Sequence, residues 1–186
     1  MKHLHAVLLA CLLAGAAAPL AHAQIVMGAS QADACYRAVE AGDRGRTSTL
    51  AQCESALDDA RLTQRDRAAT HNNLGILFHR AGRPDEALAQ FDRALAINSD
   101  HAAFWHNRGV ALMGAQEFPD AVTHFTRALE LDFGSPAHAL YNRALSREQT
   151  GDLAGAYHDL RAALDADPGF ALARDELNRF VVEPSG

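Results

Sequence analysis

Ten histidines are scattered along the 186-residue chain, and histidine in such number raises the question of a metal centre. His101 and His106 stand five apart, but no H-E-x-x-H or C-x-x-C group accompanies them, and His3, His5 and His22 fall near the N-terminus. No metal and no cofactor is therefore expected, and the histidines read as solvated surface residues. G-x-G-x-x-G, P-loop and G-x-S-x-G signatures are missing from the sequence as well, so no enzymatic reaction is expected. What does recur is asparagine. Asn73, Asn107 and Asn142 follow one another at intervals of 34 and 35 residues. An Asn side chain offers a carbonyl and an amide together. Three in a row can bond the backbone of an extended peptide; equally, they can bond within their own helix pairs.

The elements that carry these asparagines repeat with them. "GRPDEALAQFDRALAIN" at 82–98 sets Ala87, Phe91 and Ala94 in a small-aromatic-small pattern. Ala121, Phe125 and Ala128 restate it, then Ala156, Leu160 and Ala163. Each unit splits at a turn into two segments of helical period. Pro84 and Pro119 fit the first turn of a second helix, whose amides lack intrahelical partners, and Asp152 is placed to cap the third. The alanines mark where two antiparallel helices cross closely; the aromatic or Leu fills the wider space beside the crossing. Gly75 and Gly109 keep the first helix small at the same crossing, with Ala144 in the third unit. A helical Gly costs about 1 kcal/mol against Ala, so it needs such a steric reason.

This pattern resembles the tetratricopeptide repeat, a helix-turn-helix unit of about 34 residues. The match covers about 68–170, in units at 68–101, 102–135 and 137–170. Leu74, Gly75, Phe78, Ala87, Phe91 and Ala94 carry it in the first unit, Trp105, Gly109, Ala121, Phe125 and Ala128 in the second, and Ala156, Leu160, Ala163 and Pro168 in the third. His71 departs from it where the family often has Trp, Arg108 and Arg143 where it often has Leu, and Ser99 and Phe133 where it often has Pro. One extra residue is expected near Gly134-Ser135. The resemblance implies an all-α, right-handed superhelical stack of antiparallel helix pairs whose first helices line a concave groove. Carried over by position, the groove stripe contains Asn72, Asn73, Ile76, His79 and Arg80, then His106, Asn107, Val110 and Met113, then His138, Tyr141, Asn142, Leu145 and Glu148. Asn72, Asn73, Ile76, His106, Asn107, Val110, Tyr141 and Asn142 are the expected partner contacts. The family's cationic clamp for a C-terminal carboxylate would fall on Asn72, Ile76, Asn107, His138 and Asn142, where only Asn107 suits it; Lys2 is the only lysine in the chain. Arg108 and Arg143 are placed by helical phase at the helix seam, paired with acidic neighbours.

The flanks complete the array. Residues 24–66 read as a degenerate helical pair, with helical stretches at about 31–41 and 47–60. At the other end, 171–186 reads as an amphipathic capping helix and tail, because an uncapped stack exposes an apolar face. Residues 1–23 have the pattern of a cleaved signal peptide: Lys2, an apolar run from Ala6 to Ala18, and Ala21-His22-Ala23 as cleavage site. A short membrane anchor and an acylation site at Cys11 are the alternatives. Cleavage after Ala23 leaves Cys35 and Cys53, which in an oxidising compartment form a disulfide; two buried thiols are the alternative. The net charge of −6 disfavours nucleic acid and anionic membrane surfaces. The function expected is a periplasmic or secreted protein-protein interaction scaffold that takes a protein or peptide partner, with no membrane insertion after cleavage. A self-associating structural factor is the alternative.

Overall fold

The computed structural model describes residues 4–6 and 30–182. Among them nine helices follow one another: α1 (Ser30–Glu40), α2 (Thr47–Leu57), α3 (Gln64–Arg80), α4 (Pro84–Ile97), α5 (Ala102–Gly114), α6 (Phe118–Glu130), α7 (Pro136–Gln149), α8 (Leu153–Ala166) and α9 (Ala171–Leu177). The expected leader and its cleavage site lie outside the described residues, apart from Leu4–Ala6. These form a strand, β1, antiparallel to β2 (Phe180–Val182).

Helix contacts run between chain neighbours, α3 on α4, α4 on α5 and so on to α9, with next-neighbour contacts at α1–α3, α3–α5 and α5–α7. The array is an all-α solenoid of helix pairs. Its seams follow the small-residue pattern: Ala87, Ala121 and Ala156 are all 0% exposed. The rings beside them require the glycines opposite. A Cβ on Gly75 would lie 2.7 Å from the Phe91 ring, and one on Gly109 would lie 2.7 Å from that of Phe125.

The same turn closes each pair. The Arg83 amide donates to Phe78 O, Glu117 to Leu112 O and Asp152 to Arg147 O, at 3.0, 2.9 and 2.9 Å. This is a helix C-terminal motif that needs one residue in the left-handed region. Gly82 and Gly151 supply it at φ 72° and 84°; in the middle unit Gln116 adopts φ 64°. Starts are as specific. Pro84 and Pro136 open α4 and α7, Pro119 sits in the first turn of α6, and the Asp152 carboxylate accepts from Gly155 N at 2.9 Å. Thr63 caps α3 in the same way, accepting from Asp66 N at 3.1 Å.

A Cys35–Cys53 disulfide joins α1 to α2. This hairpin docks on the first repeat through Arg80 of α3, whose guanidinium donates to Val39 O at 2.8 Å and Asp43 O at 3.4 Å, satisfying carbonyls at the end of α1. At the other end the expected capping helix is α9, which packs on α8 and is shorter than the amphipathic stretch that announced it. α9 stops at Leu177, and Phe180-Val181-Val182 are extended instead, as their aromatic and β-branched side chains favour.

Candidate partner-binding face

The first helices α3, α5 and α7 bring the recurring asparagines into one row. Asn107 and Asn142 join neighbouring units rather than the two helices of one pair. Asn107 Nδ2 donates to Asn72 Oδ1 at 2.9 Å, and Asn142 Nδ2 to His106 Nε2 at 3.2 Å. His106 is held by stacking on Phe133, ring centroids 4.4 Å apart, and by a tilted contact with Phe125. Phe133, a departure from the family's proline, thereby becomes a wall of the row. With Phe133, His101, Asp132, Gly134 and Ser135 line an open cleft of about 360 Å³ between the start of α5 and the α6–α7 loop, where the repeat spacing lengthens by one residue.

All eight expected contact residues are buried: Asn72, Asn73, Ile76, His106, Asn107, Val110, Tyr141 and Asn142. Their closure to solvent was not readable from the sequence. The half-buried members of the stripe are His79, Arg80, Met113, His138, Leu145 and Glu148. His79 leans on the next unit, since a Cβ on Gly114 would meet its Cε1 at 3.1 Å. The buried Oδ1 of Asn107 has no hydrogen-bond partner.

The histidines are also a correction. From His71 onward, His158 is exposed, His71 and His106 are buried, and His79, His101, His124 and His138 are half-buried. They have become core polar groups with built partners. His71 Nδ1 bonds Gln90 Oε1 at 2.8 Å. His124 bonds the Asp120 carbonyl through Nδ1 and the Arg108 guanidinium through Nε2, both at 2.8 Å. Because the carbonyl only accepts and Arg only donates, His124 is neutral with its proton on Nδ1. Burial pushes the pKa values of His71, His79, His101 and His124 below the usual range, and nearby arginines add to this. Among the described residues no group of three or more His, Cys, Asp or Glu is placed to hold a metal, and no helix is long and apolar enough to cross a membrane.

Arg108 and Arg143 lie at the seams with acidic partners. Arg108 Nε donates to Asp92 at 2.7 Å. Arg143 grips Asp159 with two bonds of 2.8 and 2.7 Å, and Arg147, one turn on, adds a third at 2.8 Å. At the C-terminal end of the face Tyr141 packs edge-on to Phe170. Burial, with the charge of Glu176 next, pushes its hydroxyl up to about 12.

Profiles of the tetratricopeptide repeat match residues 43–100 and 106–169, spans that together exceed half of the chain. No curated protein matches it. Among solved structures, the second TPR domain of human RPAP3, in complex with the HSP70 peptide SGPTIEEVD, is 27% identical; the match covers 63% of this chain and 97% of that one, with a TM-score of 0.60. YrrB, described as a TPR protein with an unusual peptide-binding site, is 20% identical over 80% of this chain and 73% of its own, with a TM-score of 0.67. MamA is 19% identical over 77% and 80%, with a TM-score of 0.66. At those identities YrrB and MamA bear on the fold alone. The repeated alanine seams, the repeated turns and these matches agree: the chain belongs to the tetratricopeptide-repeat family.

Proposed function

We propose that the chain is a non-enzymatic interaction scaffold of the bacterial cell envelope, exported by the leader at 1–23 and cut after Ala23, which holds a peptide or protein partner along α3, α5 and α7. The observation that carries the reading is the Asn107 carbonyl, buried and without a donor. Such an orphan costs about 1–3 kcal/mol, and an extended partner brings a backbone N–H at nearly every residue. Contact begins at the half-buried His79, Met113, His138 and Leu145. It reaches Asn72, Asn73, Ile76, His106, Asn107, Val110, Tyr141 and Asn142 as the face opens. The RPAP3 domain with its bound peptide supports a peptide as the class of partner. That peptide ends in EEVD, and this chain has no cationic clamp to receive such a terminus. The buried disulfide supports an oxidising compartment.

Displayed-peptide selection on the full-length, disulfide-bonded chain tests the reading, followed by calorimetry on Asn107→Ala and on His138→Ala/Leu145→Ala. Selected peptides should bind both variants about tenfold more weakly, a loss of roughly 1.4 kcal/mol. Amidating their C-termini should change affinity less than twofold. Equal binding to wild type and variants would place the contact elsewhere and defeat the proposal.

A further inference from the structure

The third unit carries one carboxylate on the inner stripe, and the chain's own C-terminal segment neutralises it. Glu148 follows Tyr141 and Leu145 at helical spacing along α7, so it lies on their face. Its side chain is only 7% exposed. Arg179, beyond the end of α9, donates to Glu148 Oε1 at 2.7 Å through Nη2 and bonds Glu176 through Nη1. The two ends of this pair are held very differently. Glu148 is fixed on a long, packed helix, and a buried carboxylate needs a cation or a change of protonation. Arg179 is 39% exposed and follows a helix of seven residues, too short to hold itself by its own hydrogen bonds. A half-exposed ion pair adds only about 0–1 kcal/mol of anchoring.

We propose that Glu148 is a cation subsite at the C-terminal end of the partner-binding face, which takes an arginine side chain of an extended partner segment, and that Arg179 is the internal stand-in the partner displaces. The inference rests on the partner-binding reading above and gives it a chemistry: the partner is basic where the family's clamp ligands are acidic. The rest of the chain agrees. Its net charge is −6 and its only lysine is Lys2. The stripe positions preceding Glu148 in the second and third units, Met113, His138 and Leu145, place no fixed positive charge beside it. The neighbouring Tyr141 hydroxyl, raised first by burial, feels the carboxylates of Glu176, Asp175 and Glu148 against the opposing charge of Arg179.

The test uses the full chain, Arg179→Gln and Glu148→Gln, with two fluorescent, C-amidated probes of sequence Ala-Phe-Arg-Phe-Ala, one carrying neutral citrulline in place of Arg. Fluorescence anisotropy should show Arg179→Gln binding the arginine probe at least fivefold more tightly than wild type. The citrulline probe should bind at least tenfold more weakly, and Glu148→Gln should erase that difference. Raising salt from 50 to 300 mM should weaken only the arginine probe, a readout that wild type alone can give. Equal binding of the two probes, or no gain in Arg179→Gln, overturns the subsite and leaves the partner-binding reading standing. Absence of binding by either probe to every form also overturns it, and the peptide selection on the same chain then decides separately whether the face binds at all.

Discussion

Replacing Gly109 by Ala adds one methyl group to the middle unit at its tightest crossing. The new Cβ would lie 2.7 Å from Phe125 Cε1 and 3.0 Å from Cδ1 and Cζ. Carbon atoms prefer separations of about 3.5–4.0 Å, so the ring must retreat by roughly 1 Å. Phe125 is fully buried and has nowhere to retreat without moving α5 from α6. Overpacking of this kind costs about 1–3 kcal/mol. Against it stands the helix preference of Ala over Gly, about 1 kcal/mol. The expected net loss is about 1 kcal/mol, read as a lower urea midpoint and a melting temperature about 2–4 °C lower. The third unit shows how the conflict is relieved, because Ala144 there shares its core with Leu160 rather than Phe. Phe125→Leu alone should lose stability by leaving a cavity. Gly109→Ala/Phe125→Leu should be more stable than the two single losses predict when added, with a coupling of about 1 kcal/mol or more. A Gly109→Ala protein that melts above wild type, or strict additivity in the double variant, would refute the steric account of the seams.

Gln116→Gly should stabilise the chain by about 1 kcal/mol, seen as a raised urea midpoint, since a side chain at φ 64° is strained where the other units have glycine. Asp159→Asn should cost about 3 kcal/mol because it strands Arg143 and Arg147 against a site only 6% exposed. Asp92→Asn, from a carboxylate 58% exposed, should cost under about 1 kcal/mol in the same melts. The depressed pKa values of His71, His79, His101 and His124 mean that the unfolded chain takes up their protons first. Their contribution is therefore complete above the ordinary histidine value of 6.5 and is lost as pH falls below it. Melting temperature should decline from pH 7 to pH 5, and His124→Gln should flatten part of that slope. Reducing the Cys35–Cys53 bridge, which spans 18 residues, should lower stability by about 3 kcal/mol, with α1 and α2 losing amide protection before α5–α8 in hydrogen exchange.

The seams were legible because a steric rule acts locally: Ala87, Ala121 and Ala156 announce a close crossing wherever their helices lie. The pairing of Arg108 and Arg143 with carboxylates was legible for the same reason, since helical phase alone turns them toward the second helix. The asparagine row was legible as a row and not as a bonded structure. Asn72 and Asn107 are 35 residues apart, and His106 and Asn142 are 36 apart. Whether they touch depends on how far one helix pair rotates against the next, which no single unit records. The histidines misled because composition says nothing about rings such as Phe133 that arrive from the next turn. The end of α9 was missed because an amphipathic period continues through Phe180 while the β-branched residues after it favour extended chain. Thr63-x-x-Asp66 was the readable signal for the start of α3 that spacing alone did not supply.

Among the described residues the helices pack chiefly on their neighbours and next neighbours, so no fixed length is built into the core. Copying residues 102–135 once more would insert a pair that meets the same surfaces on both sides. The helices on either side would keep their contacts, with the disulfide-bonded hairpin at one end and α9 at the other, while the pairing of Leu4–Ala6 with Phe180–Val182 would have one more unit to span. The repeats are thus a ruler, whose reach can be altered by duplication or deletion of whole units between the disulfide-bonded hairpin and α9.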